Sequence, residues 1–522
     1  MPQHAQRSET VLGKHEDMFD PQDIDPENID PEVSVTLDDN IPSEFPHSSE
    51  EEEEQDRVAE LMQRCIDFIN EMQATRPDIL RGVRVWKLLR YLPSAWLRGK
   101  RKDLHRLSQQ TTQFDQFWSH SWQGSAWTKY ANMLYLHNCI PASIAGTLSA
   151  SVACGLVSAG YLGAQQAWCS VFGFVAFCMT LLIWHPQKLV FLDIACIHQT
   201  HQDQKGQALL SMGAFLKQSK SMLVLWDPTW VTRLWCIFEI AAFLHSRSPG
   251  CKPDLQIVPP LLGPALLGCE VLFGIACFIY YYIESALSAS EDGILVGELY
   301  VVVASAHVLL FVGFVTHALR GHGRNIDTLQ RQLRGFKVEH ARSACCELGH
   351  KSNSASLTCD RKVIHTCIAA WYSSLDSFEL QVQTDVRLAI IDQLAYETIT
   401  YQRIVLLSTP YVWLRLHYAA SHADDPIRSV VDMAQTFTYL LAIFPLVDKV
   451  GIRLCYRWRA RCGRIYLDFL RSLAVVIVGM SCYIACYVIQ LYVFRQNDRG
   501  LLLSVISMLS WWTVAAMLWR FI

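Results

Sequence analysis

The sequence has few charged residues and lacks the features of a secreted protein. Only 18% of its 522 residues are charged and 51% are hydrophobic, a composition too apolar for an ordinary soluble protein. The 18 cysteines follow no regular spacing, which argues against a disulfide scaffold. The first residues contain no apolar core of a signal peptide, so we expect internal segments to direct membrane insertion. These absences favour a mixture of membrane spans and soluble parts.

Acidic residues concentrate at the N-terminus, although the net charge of the whole chain is only -4. Residues 1–56 are largely polar and include an unbroken acidic run at 50–54. Such a segment buries too little apolar area to offset the entropy lost on ordering. We therefore expect 1–56 to be a disordered acidic tail.

Residues 57–113 predict a helical region that is first amphipathic and then basic. Apolar side chains recur near helical spacing over 57–76, and Lys and Arg are interleaved with Trp, Tyr and Leu from 81 to 106. Attraction to anionic lipid of the cytoplasmic leaflet and a plain solvated face are the two main explanations of the basic residues. Nucleic acid is not expected as a partner.

Long apolar segments predict transmembrane helices, each of which needs about 20 residues. They come as three hairpins, 140–184, 261–318 and 472–521, each made of two apolar segments and a short link. The link of the second hairpin, 284–293, carries acidic residues and no Lys or Arg, whereas the segments before, between and after the first two hairpins are rich in both. The positive-inside rule then places the N-terminus and most soluble regions on the cytoplasmic side of a lipid bilayer.

One more apolar segment, 429–447, has two interpretations. Asp432 leaves an uninterrupted apolar stretch of about 15 residues, which is short of a full span. A crossing would also place the basic loop that follows, 449–471, on the outer side. Six spans with a re-entrant or interfacial 429–447 are therefore favoured, and seven spans are the alternative.

The soluble segments 114–138 and 186–259 alternate between strand and helix patterns. Short apolar runs, typical of strands buried on both faces of a parallel sheet, occur at 114–118, 188–194, 221–226 and 255–258. The alternation predicts a small doubly wound α/β domain with a parallel sheet, which the first transmembrane hairpin interrupts. The predicted fold class is thus membrane α-helical plus α/β.

Three short motifs occur in this domain in a fixed order. They contain Ser119, His120 and Trp122 after the first strand, Asp193, Cys196 and Gln199 around the end of the second, and Arg233, Trp235 and Glu239 after the third. In this order the motifs resemble the TIR (Toll/interleukin-1 receptor) domain superfamily, and equally the related heterokaryon-incompatibility domain. The resemblance covers well under a third of the chain.

The resemblance implies either an interaction module or an enzyme. Many TIR domains self-associate or bind adaptor proteins, and Glu239 would then only pair with Arg233 or fix the domain. Some TIR domains instead cleave the nicotinamide–ribose bond of NAD with a Glu that corresponds to Glu239, which makes NAD a candidate substrate. A carboxylate at that position would stabilise the oxocarbenium character of the breaking glycosidic bond.

Three features depart from the TIR pattern. A membrane hairpin is inserted between the first helix and the second strand, although its ends return to one side and permit the sheet to close. The last helix and strand of the fold are missing because the apolar segment 261–283 follows directly, and no Gly-rich phosphate loop is present.

Cysteine and histidine residues cluster in the third soluble segment, 319–428, which otherwise predicts cytoplasmic helices. The cluster comprises Cys345, Cys346, His350, Cys359, His365 and Cys367. Its spacing matches no standard zinc motif, and two adjacent cysteines are awkward for tetrahedral ligation. We expect ordinary loop thiols and no metal site.

Glu270 and His307 are polar residues within the second hairpin, at similar depths from its cytoplasmic ends. A neutral hydrogen bond between the two would relieve the cost of burying either, and a proton or ion pathway is the functional alternative. The sequence thus predicts a membrane protein with a cytoplasmic TIR-like signalling or protein-interaction domain, with NAD cleavage as a candidate activity. The alternative is a channel or transporter with a regulatory cytoplasmic domain.

Overall fold

The computed structural model of the chain describes most residues after the N-terminal segment. The described ranges are 48–97, 101–121, 124–248, 253–289, 293–347, 351–352, 355–356, 359–394, 399–495 and 500–521. The predicted acidic tail lies outside them except for 48–56, where the acidic run 50–54 belongs to the first turns of a helix rather than to a disordered tail. Glutamate favours such positions because negative charge interacts well with a helix N-terminus.

Helices make up most of the described chain. In chain order they are α1 (Ser48–Glu71), α2 (Val85–Leu97), α3 (Ala126–Ser158), α4 (Trp168–Ile183), α5 (Asp193–Cys196), α6 (Gln202–Leu210), α7 (Met212–Lys217), α8 (Leu234–His245), α9 (Leu262–Ala289), α10 (Gly293–Arg334), α11 (Ala344–Glu347), α12 (Asp360–Tyr372), α13 (Leu375–Gln381), α14 (Arg387–Asp392), α15 (Tyr401–Leu407), α16 (Thr409–Ser421), α17 (Pro426–Thr438), α18 (Phe444–Arg457), α19 (Ile465–Arg495) and α20 (Gly500–Phe521).

Six strands form one small mixed sheet in the spatial order β2-β1-β4-β3-β5-β6. The strands are β1 (Arg81–Arg84), β2 (Gln109–Gln110), β3 (Phe114–His120), β4 (Leu189–Phe191), β5 (Ser219–Leu225) and β6 (Leu255–Val258). β3 to β6 are parallel, as the sequence predicts for these four segments. A separate antiparallel pair consists of β7 (Lys351–Ser352) and β8 (Ala355–Ser356).

The edge of the sheet differs from the expectation of a wholly parallel sheet. β1 runs antiparallel to both β2 and β4, and it comes from the region for which only helix was predicted. The strand has too few residues to show the alternation of apolar and polar side chains that predicts a strand. Of its four residues, Arg81 and Arg84 are charged, and the buried Val83 alone gives too weak an apolar signal. Gly82 permits close packing there, because an added Cβ would lie 3.0 Å from Leu189 Cγ and 3.1 Å from a Phe114 ring carbon.

The helix after β3 continues directly into the first apolar hairpin. The sequence predicts a soluble helix that ends at 138 and a separate span from 140, whereas α3 is one helix over 126–158. Its first half packs into the sheet core through Met133 and Leu134. α4 packs along α3 and leads back to β4, so the hairpin lies between two strands that are neighbours in the sheet.

Among the described residues, four helical stretches are long and apolar enough to cross a membrane. They are Ala126–Ser158, Leu262–Ser285, Pro426–Arg457 and Ile465–Gln490. Their presence is compatible with an integral membrane protein. The third stretch contains the predicted segment 429–447 and continues to Arg457, so length does not argue against a crossing there.

α15 and α16 lie among the apolar helices and not with the rest of the segment 319–428. α16 packs against α3, α4 and α9. It also contacts α17 while α15 contacts α18, so 401–421 and 426–457 run antiparallel. Trp413 donates its indole N–H to Thr147 Oγ1 at 3.1 Å, and His417 Nε2 lies 3.1 Å from the carbonyl oxygen of Ala164 in the α3–α4 link.

A buried arginine fixes the opposite end of the bundle, where α10 leaves the apolar helices. Arg320 is fully buried and donates to Asp468 Oδ1 at 2.6 Å, to Ser472 Oγ at 2.7 Å and to the carbonyl oxygen of Trp458 at 2.8 Å. Arg459 forms a second ion pair with Asp327 at 2.6 Å. The loop before α19 therefore lies beside the segment of α10 that leads to the sheet domain.

Candidate functional site

The candidate site lies at the carboxyl ends of β3, β4 and β5. β4 and β5 flank β3 on opposite sides, so the connections that leave these strands diverge. Ligands of doubly wound sheets bind in the crevice that such a reversal creates. The structure places Ser119, His120, Asp193 and Glu239, four of the motif residues, around this edge.

Adjacent residues of a strand point to opposite faces of the sheet, so Ser119 and His120 face different helices. Ser119 contacts Glu239 of α8 and Trp230, the residue that begins a short turn before it. His120 lines a cavity on the other face together with residues of α3. The site is therefore divided into an α8 side and an α3 side.

On the α8 side, Glu239 is held in a hydrogen-bonded chain. Ser119 Oγ donates to Glu239 Oε2 at 2.5 Å, and Trp230 Nε1 donates to Ser119 Oγ at 2.9 Å. Burial raises the pKa of Glu239 to about 8, against the opposing effect of the Ser119 hydrogen bond. The negative charge of Asp193 raises this pKa further, and the positive charge of Arg233 lowers it. Glu239 is therefore largely protonated at neutral pH.

On the α3 side, a half-open cavity of about 190 Å³ has mostly apolar walls and polar groups at His120, Lys129 and Tyr130. Burial lowers the pKa of His120, so its imidazole is neutral near pH 7. Lys129 Nζ lies 3.9 Å from Asp227 Oδ2 and donates to the carbonyl oxygen of Ser121. The volume is below that of most drug-sized ligand pockets, so it fits one ring-sized group rather than a dinucleotide.

Asp193 lies at the end of β4, where its charge acts on both sides of the site. Its Oδ1 accepts a hydrogen bond from the amide N–H of Ile194 at 2.7 Å and lies 3.9 Å from His120 Nδ1. Gln199 Nε2 donates to the Asp193 carbonyl oxygen at 3.2 Å and so fixes the turn. Cys196 is buried beneath that turn, and burial raises the pKa of its thiol to about 12, which makes it unreactive.

The remaining motif residues are distributed around α8. Arg233 precedes the first residue of α8, and its charge acts on Glu239. Trp235 turns away from the strand ends and donates its indole N–H to Asp360 Oδ2 of α12 at 3.3 Å. Trp122 lies outside the described residues.

Three residues of this site were not identified from the sequence: Lys129, Asp227 and Trp230. Lys129 belongs to the predicted first helix. Asp227 directly follows the predicted strand 221–226 and lies two residues after the end of β5. A position directly after a buried strand is a general signal for a site residue in a parallel sheet, and it would have identified Asp227. Neither Lys129 nor Trp230 carries a comparable signal.

A second polar site lies among the apolar helices. Glu270 of α9 is only 1% exposed, and Ser143 Oγ, Cys139 Sγ and Thr409 Oγ1 donate to its carboxyl at 3.0, 3.3 and 3.4 Å. The donors come from α3 and from the turn that begins α16. The predicted partner His307 lies on α10, but its side chain is outside the described part of the chain.

Comparison of the chain with protein-family models, with curated proteins and with solved structures gave no match.

Proposed function

We propose that the chain is a multi-pass membrane protein whose sheet domain is a TIR-like signalling and protein-interaction module on the cytoplasmic side. The observation that carries the proposal is the gathering of Ser119, His120, Asp193 and Glu239 at the carboxyl ends of three parallel strands. Numbered from β3 along the chain, the parallel strands take the order 2-1-3-4, which is that of doubly wound sheets with a ligand site at this edge.

The outward faces of the apolar helices support the membrane part of the proposal. Ile144, Leu148 and Val152 recur every four residues on α3 and are 54%, 63% and 62% exposed. Water would disfavour such a stripe on a soluble protein, whereas lipid tails accept it.

The function of the module as a binding domain rests on the cavity and its charges. A small apolar cavity with a lysine and a neutral histidine fits one aromatic or amide-bearing ring. Self-association and adaptor binding use the outer surface of the same domain. Both roles are compatible with a protonated Glu239 that only holds β3 to α8.

NAD cleavage is the activity that the proposal allows at Glu239. The bond between the nicotinamide nitrogen and the ribose breaks with its electron pair going to the ring. An ionised Glu239 stabilises the cation left on the sugar, and water then captures that cation. Because only the carboxylate form acts in this way, and the pKa of Glu239 is about 8, the rate rises as the pH is raised from 6 to 8.

The test is NAD consumption by the full-length protein in lipid nanodiscs, with Glu239→Gln as the variant. Glutamine keeps the shape and can still accept the Ser119 hydrogen bond, so loss of activity reports on the charge. Glu339→Gln, an exposed position in a turn after α10, is the control and keeps wild-type activity. Equal consumption by wild type and Glu239→Gln contradicts catalysis, and failure of two differently tagged copies to co-purify contradicts self-association.

Glu270 favours a second candidate function, a channel or transporter with a regulatory sheet domain. A carboxyl buried among apolar helices and surrounded by neutral hydrogen-bond donors is a typical proton or cation site. The measurement is ion flux into vesicles that contain the wild-type protein or Glu270→Gln. Flux that is lost in Glu270→Gln and unchanged in Glu339→Gln supports transport, and absence of flux in the wild type rejects it.

A further inference from the structure

Three cysteine thiols converge beside the N-terminus of α8, in the segment for which the sequence favoured ordinary loop thiols. Cys345 and Cys346 belong to α11, and Cys359 directly precedes α12. The Sγ atoms of Cys345 and Cys346 are 3.9 Å apart, and those of Cys346 and Cys359 are 3.8 Å apart. All three lie within 4.8 Å of one another. Adjacency of the first two cysteines therefore does not keep their thiols apart.

These separations match the geometry of a zinc site. Zinc binds thiolate sulfur at about 2.3 Å, and the edge of a tetrahedron with that radius is about 3.8 Å. Thiols in van der Waals contact have the same separation, and a disulfide would bring two of the sulfur atoms to about 2.05 Å. Soft thiolate ligands in a tetrahedral arrangement select zinc over the hard cations magnesium and calcium.

The surroundings of the cluster resemble those of a built metal site. Cys345 is 1% exposed and its thiol lies 3.0 Å from the hydroxyl of the buried Ser343. The Asp360 carboxylate is also buried and accepts a hydrogen bond from the Cys345 thiol. Trp235 of α8 donates to the same carboxylate at 3.3 Å, so a hydrogen-bonded chain connects α8 to the cluster.

We propose that Cys345, Cys346 and Cys359 bind one structural Zn²⁺ ion, and that a water molecule completes the coordination. The ion would join α11 to the start of α12, and this segment in turn contacts the first turn of α8, the helix that carries Glu239. Arg342 already pairs with the start of that helix, because its N–H donates to the Thr232 carbonyl at 2.7 Å and its carbonyl accepts from Leu234 N–H at 3.0 Å. Binding replaces the thiol protons, so zinc is released as the pH falls.

The first experiment is the metal content of the full-length protein, purified in detergent without chelator and measured by mass spectrometry of the elements. We expect about one zinc per chain in the wild type and in the control Cys462→Ser, whose cysteine lies in the loop before α19. Cys346→Ser reduces the zinc content to background.

A second measurement keeps the proposal testable if Cys346→Ser fails to fold. Wild-type protein is stripped with a chelator and loaded with Co²⁺, and a thiolate-to-cobalt charge-transfer band is expected because the thiols are the ligands. The chelator also lowers the melting temperature of the wild type. Absence of zinc together with absence of the cobalt band overturns the proposal, as does a disulfide among the three cysteines in protein purified under reducing conditions.

Discussion

At the scale of single residues, the protonation of Glu239 distinguishes this carboxyl from an exposed glutamate. Its ordinary pKa is 4.5 and burial raises the pKa to about 8 in the folded chain. Between about pH 4.5 and pH 8, the Glu239 carboxyl is therefore protonated in the folded chain and ionised in the unfolded chain. The stability that this proton contributes is fully present below about pH 4.5 and is lost as the pH rises towards 8.

We expect the melting temperature of the wild type to fall between pH 5 and pH 8 more steeply than that of Glu239→Gln, which has no proton to lose. Glu339→Gln retains the wild-type pH dependence because it changes an exposed carboxyl. The measurement is thermal unfolding of the detergent-solubilised chain followed by tryptophan fluorescence. A pH dependence that is the same in Glu239→Gln and in the wild type would show that this carboxyl is ionised in the folded chain.

The sequence predicted part of this site because motif residues follow buried strands. Ser119 and His120 are the last two residues of β3, and Asp193 lies two residues after the end of β4. The carboxyl ends of parallel strands meet at one edge of the sheet. The division of the site into two faces was not predicted, although the alternation of side chains along β3 would have given it. The sequence named these cysteines as part of a cluster but did not predict that three of the thiols lie within 4.8 Å of one another, because sequence spacing does not show how a loop brings Cys359 back to Cys345.

At the scale of elements, close packing of α3, α4 and α16 depends on glycine. A Cβ added at Gly173 would lie 2.5 Å from Trp413 Cδ2, and one at Gly146 would lie 2.7 Å from Trp413 Cζ2. Both are shorter than any ordinary carbon contact, and the ring is 1% exposed and has little room to move. The indole of Trp413 thus holds the first hairpin to α16.

Gly173→Ala is expected to destabilise the folded protein by about 1–3 kcal/mol, because the added methyl overpacks the ring. Gly155→Ala, on α3 of the same hairpin, meets nothing within 4 Å and is the matched control. Thermal unfolding in one detergent compares the two variants with the wild type. Equal melting temperatures for the two variants would show that Trp413 does not pack between these helices.

The elements that the sequence predicted are those with a strong local pattern. Long apolar runs predicted the helical hairpins, and short apolar runs predicted the strands β3 to β6. α15 and α16 were assigned to the soluble segment because Arg403 and Arg415 reduce their hydropathy and the helix breaks at Ser408, before Pro410. The tertiary contacts show how the cost of burying Arg415 among apolar helices is offset: its guanidinium pairs with Asp432 of α17 at 2.7 Å.

At the scale of the whole molecule, we propose from these contacts an arrangement of four membrane hairpins with eight crossings. Residues 401–421 extend about 31 Å at the helical rise, which is enough to cross the hydrocarbon core. Their far end contacts the α3–α4 link, and α17 and α18 return to the loop held by Arg320. This arrangement keeps the basic loop 449–471 on the sheet side, as the positive-inside rule requires, without leaving 429–447 re-entrant.

We propose that four membrane hairpins, including 401–421 with 426–457, each return the chain to the side of the sheet, so that the bilayer holds the proposed signalling module in place. Protease protection of an epitope in sealed vesicles tests it most directly, with the epitope placed at the N-terminus, between Asp424 and Asp425, or between Arg461 and Cys462. We expect the N-terminus and the 461 site to be digested from the same side, and the 424 site only from the opposite side. All three sites on one side would support six spans, and a 424 site on the side of the N-terminus with 461 opposite would support seven. Either result would contradict the arrangement of four hairpins.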